Sequence, residues 1–395
     1  MRPVAIADYT VTSAIGTGRR ATLASLEAGR TGLRPQSFET ASLRTWLGEV
    51  PGVEEQALPS RLQRYDCRNH RLAWLALQAD DFAQRVRDVR AHVGASRIGV
   101  FLGTSTSGIF GTEQAYRRRD PLTGALPVGT DYAHTHNVGS LAAFVREALA
   151  LQGPACVIST ACSSAAKAYA TGARMLAQGL VDAAVVGGVD SFCLTTLHGF
   201  DSLELLSPEI CRPWDARRRG LSLGEGAAFA LLERASRSPR GWLLGAGETS
   251  DGHHMSSPHP TGAGAAEAMR QALAAARLDQ VDVDYLNLHG TGTSGNDAVE
   301  DMAVRSVFRG DLPCSSTKGA TGHTLGAAGG VEAAISLLAL EHGLMPGGLN
   351  RAAPDPALGV RYLDAPREAR LDIVASNSFG FGGSNVCLVF GARAA

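Results

Sequence analysis

One cysteine in a run of small residues is the best candidate for a nucleophile. Cys162 follows a short apolar run, Ala155 to Ile158, which predicts a buried strand. An alanine-rich stretch after it predicts a helix from Ser163 to Gln178. The turn between them places Cys162 at a helix N-terminus, where free N–H groups and the helix dipole favour a thiolate. The alternative is a buried structural cysteine, so partners elsewhere in the chain must decide.

Two histidines also follow predicted strands in turns of small residues. His289 comes directly after the strand Tyr285 to Leu288, and His323 closes a turn that begins at Lys318. A lone histidine at a strand end is more often structural. Two of them together with a cysteine at a helix start predict an active centre. The remaining loop histidines lack a carboxylate and metal-ligand spacing, so we predict no metal site.

Composition excludes several classes of protein. Of 395 residues, 45% are hydrophobic and 19% charged, which predicts a folded globular chain. A net charge of −1 predicts no nucleic-acid partner and no attraction to an anionic membrane. Seven scattered cysteines predict free thiols in a reducing, cytoplasmic setting. No leader peptide or membrane-spanning stretch is evident.

The order of predicted elements repeats along the chain. Each half contains strand, helix, strand, helix, strand, helix, strand and strand, which predicts two similar α/β units over residues 1–240 and 241–395. One long helix is predicted from Arg68 to Ala91 in the first unit. The turn before the third helix contains Cys162 in one unit and Lys318 to His323 in the other. Since ligands bind at the carboxyl ends of such strands, these turns are expected to meet.

Five runs, in order along the chain, resemble the signature set of β-ketoacyl-ACP synthases of the I/II type. They are Thr160 to Ser164, Arg212 to Asp215, His289 to Thr293, Lys318 to His323 and Asn377 to Asn385. The resemblance implies a thiolase fold, with duplicated βαβαβαββ halves in five αβαβα layers. It also implies a homodimer. A heterodimer with a chain-length-factor-like subunit stays open as the alternative.

The resemblance further implies an acyltransferase that catalyses a decarboxylative Claisen condensation of acyl-ACP with malonyl-ACP. Cys162 would store the acyl group, and the N–H groups of Cys162 and Phe381 would form the oxyanion hole. Neutral His289 and His323 would donate hydrogen bonds to the malonyl thioester. Lys318 would set the electrostatics around His323.

Other roles follow from the same resemblance. Phe379 and Phe381 would form the gate, and Glu332 and Glu300 would support the catalytic residues. The phosphopantetheine arm, which arrives on the acyl carrier protein, would contact Thr291, Thr293 and Ser256. Carrier docking is assigned to Arg61, Arg64, Arg68 and Arg212, although a solvated helix face is the alternative for this basic cluster. No cofactor is expected apart from a structural monovalent cation.

Several relatives with other chemistry fit the residues less well. A thiolase would carry a second cysteine where this chain has Phe381, and a type III synthase would use Cys, His and Asn. A non-catalytic chain-length partner would lack the nucleophile. The polar run Asp131 to Asn137 and the aromatic Phe110 are expected near the acyl tunnel and favour a specialised polyene or polyketide pathway over a saturated fatty acid. Chain length and pathway are not encoded in these motifs.

Overall fold

Two runs of alternating strands and helices follow one another in the computed structural model, which describes residues 1–308 and 310–394. The first run contains β1 (Val4–Ser13), β2 (Gly16–Thr17), α1 (Arg19–Glu27), β3 (Arg34–Pro35), β4 (Trp46–Gly48), α2 (Arg68–Gln78), α3 (Phe82–Val93), β5 (Ile98–Gly103), α4 (Ile109–Arg117), α5 (Ser140–Ala148), β6 (Ala155–Ile158), α6 (Ser164–Ala177), β7 (Ala183–Asp190), α7 (Leu194–Ser202), β8 (Leu223–Gly224) and β9 (Gly226–Glu233). The second run contains β10 (Gly241–Ser250), α8 (Ala263–Ala276), β11 (Tyr285–Asn287), α9 (Ser294–Val307), β12 (Pro313–Ser315), α10 (Lys318–Thr321), α11 (Ala328–His342), β13 (Leu344–Met345), β14 (Arg361–Tyr362), β15 (Arg367–Glu368), β16 (Ile373–Gly380) and β17 (Ser384–Gly391).

The long strands form a mixed sheet built from two equivalent parts. The strand order is β6-β5-β7-β9-β1 in the first part and β12-β11-β16-β17-β10 in the second, so each part has the order 3-2-4-5-1. The pairing is also equivalent. In each part the first three strands of this order pair in parallel, and the fourth strand pairs antiparallel with both the third and the fifth. Antiparallel pairing of β1 with β10 joins the two parts. The predicted duplication is therefore confirmed.

Helices cover the sheet in layers. Between the two parts lie α6, which packs on β5 and β7, and α11, which packs on β9, β16 and α6. Helices α2 and α5 pack on the outer side of the first part, and α8 packs on β10 and β17. The result is the five-layered thiolase fold implied by the sequence resemblance.

The two central helices touch closely, and this contact positions the site. A Cβ atom at Gly329 of α11 would lie 2.8 Å from the backbone nitrogen of Ala166 in α6. Only glycine permits that approach. Because α6 begins beside Cys162 and α11 carries Glu332, the contact brings the two halves of the candidate site together.

One predicted element is wrong. The expected single helix from Arg68 to Ala91 is divided into α2 and α3 by Asp80 and Asp81, whose φ angles are 56° and 57°. The Asp80 carboxylate accepts hydrogen bonds from the hydroxyl of Thr10 and the N–H of Arg19, which fixes the break. Helices α4 and α7 were not predicted. No helix in the described residues is long and apolar enough to cross a membrane.

Candidate active site

Cys162 lies in a tight turn between β6 and α6. Ala161 before it has φ of 51°, an unfavourable conformation for a residue with a Cβ atom. Two serine hydroxyls hold the turn: Ser163 Oγ donates to the carbonyl of Thr160 at 2.9 Å, and Ser164 Oγ donates to the carbonyl of Ala161. The turn thus directs a buried thiol toward the second half of the molecule.

The thiol is less acidic than its place at a helix start predicts. Burial raises the pKa of Cys162 to about 11, and the Lys318 ammonium and the N–H groups of Phe381 and Cys162 oppose this increase. Desolvation of the thiolate outweighs these favourable interactions. Burial therefore opposes the preference for a thiolate that is expected from the helix start.

His323 is the group nearest to the sulfur. Its Nε2 lies 2.9 Å from Cys162 Sγ. The backbone of His323 is fixed on both sides, because its N–H donates to Ser222 and its carbonyl accepts from Gly224. Burial, followed by the charge of Lys318, lowers the pKa of His323 well below its usual value. His323 is therefore neutral near pH 7 and can accept the thiol proton.

His289 and Lys318 form a second polar group beside His323. The two imidazole rings are nearly perpendicular, with centroids 5.4 Å apart. Lys318 Nζ lies 3.3 Å from His289 Nδ1 and also contacts the His289 carbonyl and Glu332 Oε1. An ammonium can only donate, so Nδ1 accepts and the ring proton belongs on Nε2. Lys318 contacts His289 directly. It acts on His323 only through its positive charge, which lowers the pKa of that histidine.

Glu300 supports the His289 turn from α9. Its two carboxylate oxygens accept the N–H groups of His289 and Gly290 at 2.7 and 2.8 Å. Asn377 Nδ2 donates to the same carboxylate at 3.2 Å. Burial raises the pKa of Glu300 to about 7, and burial raises that of Glu332 to about 7 as well. The structure thus places both predicted supporting glutamates behind His289.

The end of β16 and the turn after it supply a backbone donor and two aromatic rings. A Cβ atom at Gly380 would lie 2.9 Å from the Thr160 carbonyl, so glycine lets this turn reach the cysteine. The N–H groups of Phe381 and of Cys162 itself lower the pKa of the Cys162 thiol. The Phe379 ring lies 5.9 Å from the His289 ring, and the Phe381 ring stacks on Phe200 at 5.7 Å.

A cavity of about 370 Å³ is lined by Cys162, by both histidines and by both phenylalanines. The predicted pantetheine contacts Thr291, Thr293 and Ser256 all line it, and the two threonine hydroxyls are 2.9 Å apart. Sequence reasoning missed Phe200 and Asp251, which also line the cavity. Asp251 directly follows β10, and a predicted strand extended as far as Ser250 would have indicated it. The sequence carried no comparable signal for Phe200.

The predicted docking arginines divide into two groups. Arg68 is buried and paired with the fully buried Glu225, so its assignment to a surface docking patch is wrong. The cause is Glu225, a buried carboxylate that requires a partner. Arg61 and Arg64 lie on the surface, where Arg64 pairs with Glu147. Arg212 pairs with Glu209.

The segment expected near the acyl tunnel, residues 131–137, lies outside the cavity at Cys162. Residues Tyr132–His136 form a π-helix, and Asp131 and Thr135 line a separate concavity that includes Arg64. Phe110 packs against Phe38 in an aromatic cluster. Neither Phe110 nor residues 131–137 line the cavity at Cys162.

A buried cysteine facing two neutral histidines in a duplicated thiolase fold fits an acyltransferase of the condensing type. Family comparison gives a closer assignment. The family model "Beta-ketoacyl synthase, N-terminal domain" matches residues 1–238, and "Beta-ketoacyl synthase, C-terminal domain" matches residues 240–351. The chain belongs to the β-ketoacyl synthase family and elongates acyl chains by Claisen condensation.

Individual relatives agree over nearly the whole chain. The 3-oxoacyl-[acyl-carrier-protein] synthase 2 of Coxiella burnetii is 31% identical and covers 98% of both chains. Nodulation protein E of Rhizobium meliloti is 34% identical over 86% of this chain and 88% of its own. The ketosynthase ApeO from Xenorhabdus doucetiae, solved in complex with its chain length factor ApeC, is 36% identical with a TM-score of 0.91, covering 99% of this chain and 98% of its own.

Proposed function

We propose that Cys162 is the acyl-carrying nucleophile. In acyl transfer its sulfur attacks the carbonyl carbon of an acyl-ACP thioester and the carbon–sulfur bond to the carrier breaks. His323 Nε2, 2.9 Å from the sulfur, accepts the thiol proton and returns it to the departing carrier thiolate. The N–H groups of Cys162 and Phe381 stabilise the oxyanion. Support comes from their favourable effect on negative charge at the sulfur, since both lower the pKa of the Cys162 thiol.

The second half-reaction uses both histidines as donors. Malonyl-ACP loses carbon dioxide, and the resulting enolate oxygen accepts hydrogen bonds from His289 and from the His323 tautomer that carries its ring proton on Nε2. The Nδ1 atom of His323 has no hydrogen-bond partner within the described residues, so no contact fixes the ring proton there. The proton on His289 Nε2 is held there by Lys318, which occupies Nδ1. The enolate carbon attacks the acyl-cysteine carbonyl and releases the β-ketoacyl product. One proton is taken up to restore the Cys162 thiol.

The observation that carries this proposal is the contact between Cys162 and His323, since it joins the nucleophile to a neutral proton acceptor. Intact-protein mass spectrometry tests it. We expect a single acyl adduct on Cys162 after mixing with acyl-ACP, and release of that adduct on addition of malonyl-ACP.

For the pathway, we propose a specialised polyene or polyketide elongation. Two related ketosynthases were solved with chain length factors, the ApeO protein and the ishigamide ketosynthase, which is 28% identical with a TM-score of 0.89. The alternative is general fatty acid synthesis. The Coxiella burnetii relative bears the general name 3-oxoacyl-[acyl-carrier-protein] synthase 2. Product analysis with saturated and polyunsaturated acyl-ACPs separates the two, because a polyene enzyme would extend only the unsaturated series.

We propose that a second ketosynthase-type chain packs at the β6 end of the sheet. Strand β6 is the last strand at that end, and Cys156 within it is exposed. Five of the eleven exposed large apolar side chains in the described residues lie between positions 116 and 138, namely Tyr116, Leu122, Val128, Tyr132 and Val138. An open strand edge beside apolar side chains favours association. Native mass spectrometry of the chain alone and co-produced with a chain-length-factor homologue distinguishes a homodimer from a heterodimer.

The acyl carrier protein is the proposed substrate carrier, docking at Arg61, Arg64 and Arg212. Arg64 is half exposed, which leaves it available to an acidic helix. Arg68 is left out of this surface because it is buried.

We also propose a structural monovalent cation behind His289. Asn287 Oδ1, Ser376 Oγ and Glu332 Oε2 are among the buried oxygen atoms that lack a hydrogen-bond partner within the described residues. Asn287 and Ser376 are paired on adjacent strands, and oxygen ligands suit a hard cation. Thermal unfolding in potassium against choline chloride at equal ionic strength tests this site, with a higher Tm expected in potassium.

A cytoplasmic location is proposed because the nucleophile must stay reduced. All seven cysteines have free thiols. Fractionation of the source cells tests the location.

A further inference from the structure

A buried carboxylate with no role in the proposed chemistry lies close to the nucleophile. Asp190 is the last residue of β7, and its side chain is fully buried. No arginine, lysine or histidine in the described parts of the chain forms an ion pair with it. A buried carboxylate is costly unless hydrogen bonds replace its water. Asp190 therefore depends on the donors around it.

Five donors surround this carboxylate, and they come from two turns. Thr104 Oγ1, Thr106 Oγ1 and the N–H groups of Ser105 and Thr106 bind Asp190 Oδ1 at 2.6 to 2.9 Å. The N–H of Gly326 binds Oδ2. The first turn follows β5, whereas Gly326 lies three residues after His323. Asp190 thus connects the loop after β5 to the turn that carries His323.

The approach at Gly326 requires glycine. A Cβ atom there would lie 2.7 Å from Asp190 Oδ2 and 3.0 Å from the backbone nitrogen of Ser105. The turn after His323 is therefore in direct contact with both the carboxylate and the loop after β5.

Both turns contain a strained backbone. Ser107, next to Thr106, has φ of 44°, and Leu325, next to Gly326, has φ of 52°. Residues with a Cβ atom adopt such angles only where their surroundings hold them. Ser107 is also held by its N–H, which donates to Thr104 Oγ1 at 3.1 Å. The hydrogen bonds of Asp190 are adjacent to both strained residues.

We propose that Asp190 is a positioning residue that fixes the His323 turn against the helix start at Cys162. This inference rests on the proposed roles of Cys162 and His323. The His323 backbone is held on one side by Ser222 and Gly224 and, three residues later, by Asp190. Together these contacts keep Nε2 within 2.9 Å of Sγ. Misplacement of a catalytic group by about 1 Å can cost on the order of 10²-fold in rate.

Asp190→Asn tests the proposal, since it keeps the side-chain shape but removes the charge and one acceptor oxygen. We expect kcat for condensation to fall by about 10²-fold with little change in KM for acyl-ACP. A second readout is the pH dependence of Cys162 alkylation by iodoacetamide. The charge of Asp190 raises the pKa of this thiol and that of Lys318 lowers it, while His289 and His323 are neutral. Removing the Asp190 charge should therefore move the alkylation profile to lower pH.

Asp301→Asn is the matched control. Asp301 is also buried and accepts the N–H groups of Gly359 and Val360, away from the cavity. It should leave kcat and the alkylation profile unchanged. Equal losses in both variants, or wild-type kcat in folded Asp190→Asn, would overturn the proposal.

Thr104→Val provides a second test if Asp190→Asn does not fold. It removes one hydrogen bond to the carboxylate and keeps the charge. It should lower kcat and leave the alkylation profile in place, and an unchanged kcat would contradict the proposal. A wild-type protein without condensation activity would refute the proposed function, whereas the shift in alkylation would still test where Asp190 acts.

Discussion

The Nε2 atom of His323 lies 2.9 Å from the Sγ atom of Cys162, although 161 positions separate the two residues in the chain. The duplicated fold creates this contact, because equivalent turns of the two halves meet where α6 and α11 pack together. One turn supplies a buried thiol and the other a buried neutral imidazole.

Alkylation of Cys162 should depend steeply on pH. Burial raises the thiol pKa to about 11, so the thiolate fraction increases about tenfold per pH unit below that value. The rate of iodoacetamide modification, followed by mass spectrometry of the Cys162 peptide, should still increase between pH 8 and 10. A plateau reached below pH 8 would show a thiolate already formed in the free protein.

The two histidines should differ in what they affect. His289→Ala removes only a donor to the malonyl thioester, so decarboxylation should slow by about 10²- to 10³-fold while acylation of Cys162 persists. His323→Ala should slow both steps, because His323 contacts the sulfur. Carbon dioxide release and acyl-enzyme formation, measured separately, check this. Equal effects of the two variants on acylation would remove the distinction.

Arg68 should matter for stability. Its side chain is buried against the fully buried Glu225, which Arg68→Ala would leave without a counter-charge. Breaking a buried pair from one side costs about 3–5 kcal/mol of unfolding free energy. Urea denaturation measures this, with Arg71→Ala as control, because its partners Asp66 and Glu54 are partly exposed and the loss should stay below about 1 kcal/mol. Wild-type stability of Arg68→Ala would contradict the assignment.

The burial of Arg68 is a feature that the sequence alone does not predict. The order of strands and helices along the chain, the duplication and the meeting of Cys162 with His323 follow from periodicity and from small residues at strand ends, which are local signals. The burial of Arg68 depends on Glu225, 157 positions away. Spacing on a helix does not reveal such a partner.

Two further differences between the predictions and the structure also arise from contacts that form only in the folded chain. Predicted helix 68–91 breaks at Asp80 because of bonds to Thr10 and Arg19, which are distant in sequence. The helix N-terminus beside Cys162 is visible in the sequence. The desolvation that raises the pKa of the Cys162 thiol depends on the assembled core, so the sequence alone does not predict the acidity of this thiol. Lys318 was correctly placed at the centre, but its contact with His289 requires the folded turn.

Carrier docking is tested best at Arg64, which is half exposed. Arg64→Glu should raise KM for acyl-ACP and weaken the dependence of kcat/KM on salt, since exposed charges mainly accelerate encounter. Acylation by a small acyl thioester should not change. Arg174→Glu, at another exposed arginine paired with a glutamate, is the matched control. Similar effects of both variants would place the docking surface elsewhere.

Acyl-enzyme formation tests the central claim most directly. Wild-type protein mixed with acyl-ACP should gain the mass of one acyl group on the Cys162 peptide, and malonyl-ACP should remove it with release of β-ketoacyl-ACP. Folded Cys162→Ser should show no condensation product. An acyl group on another residue, or condensation by the folded Cys162→Ser variant, would contradict the account.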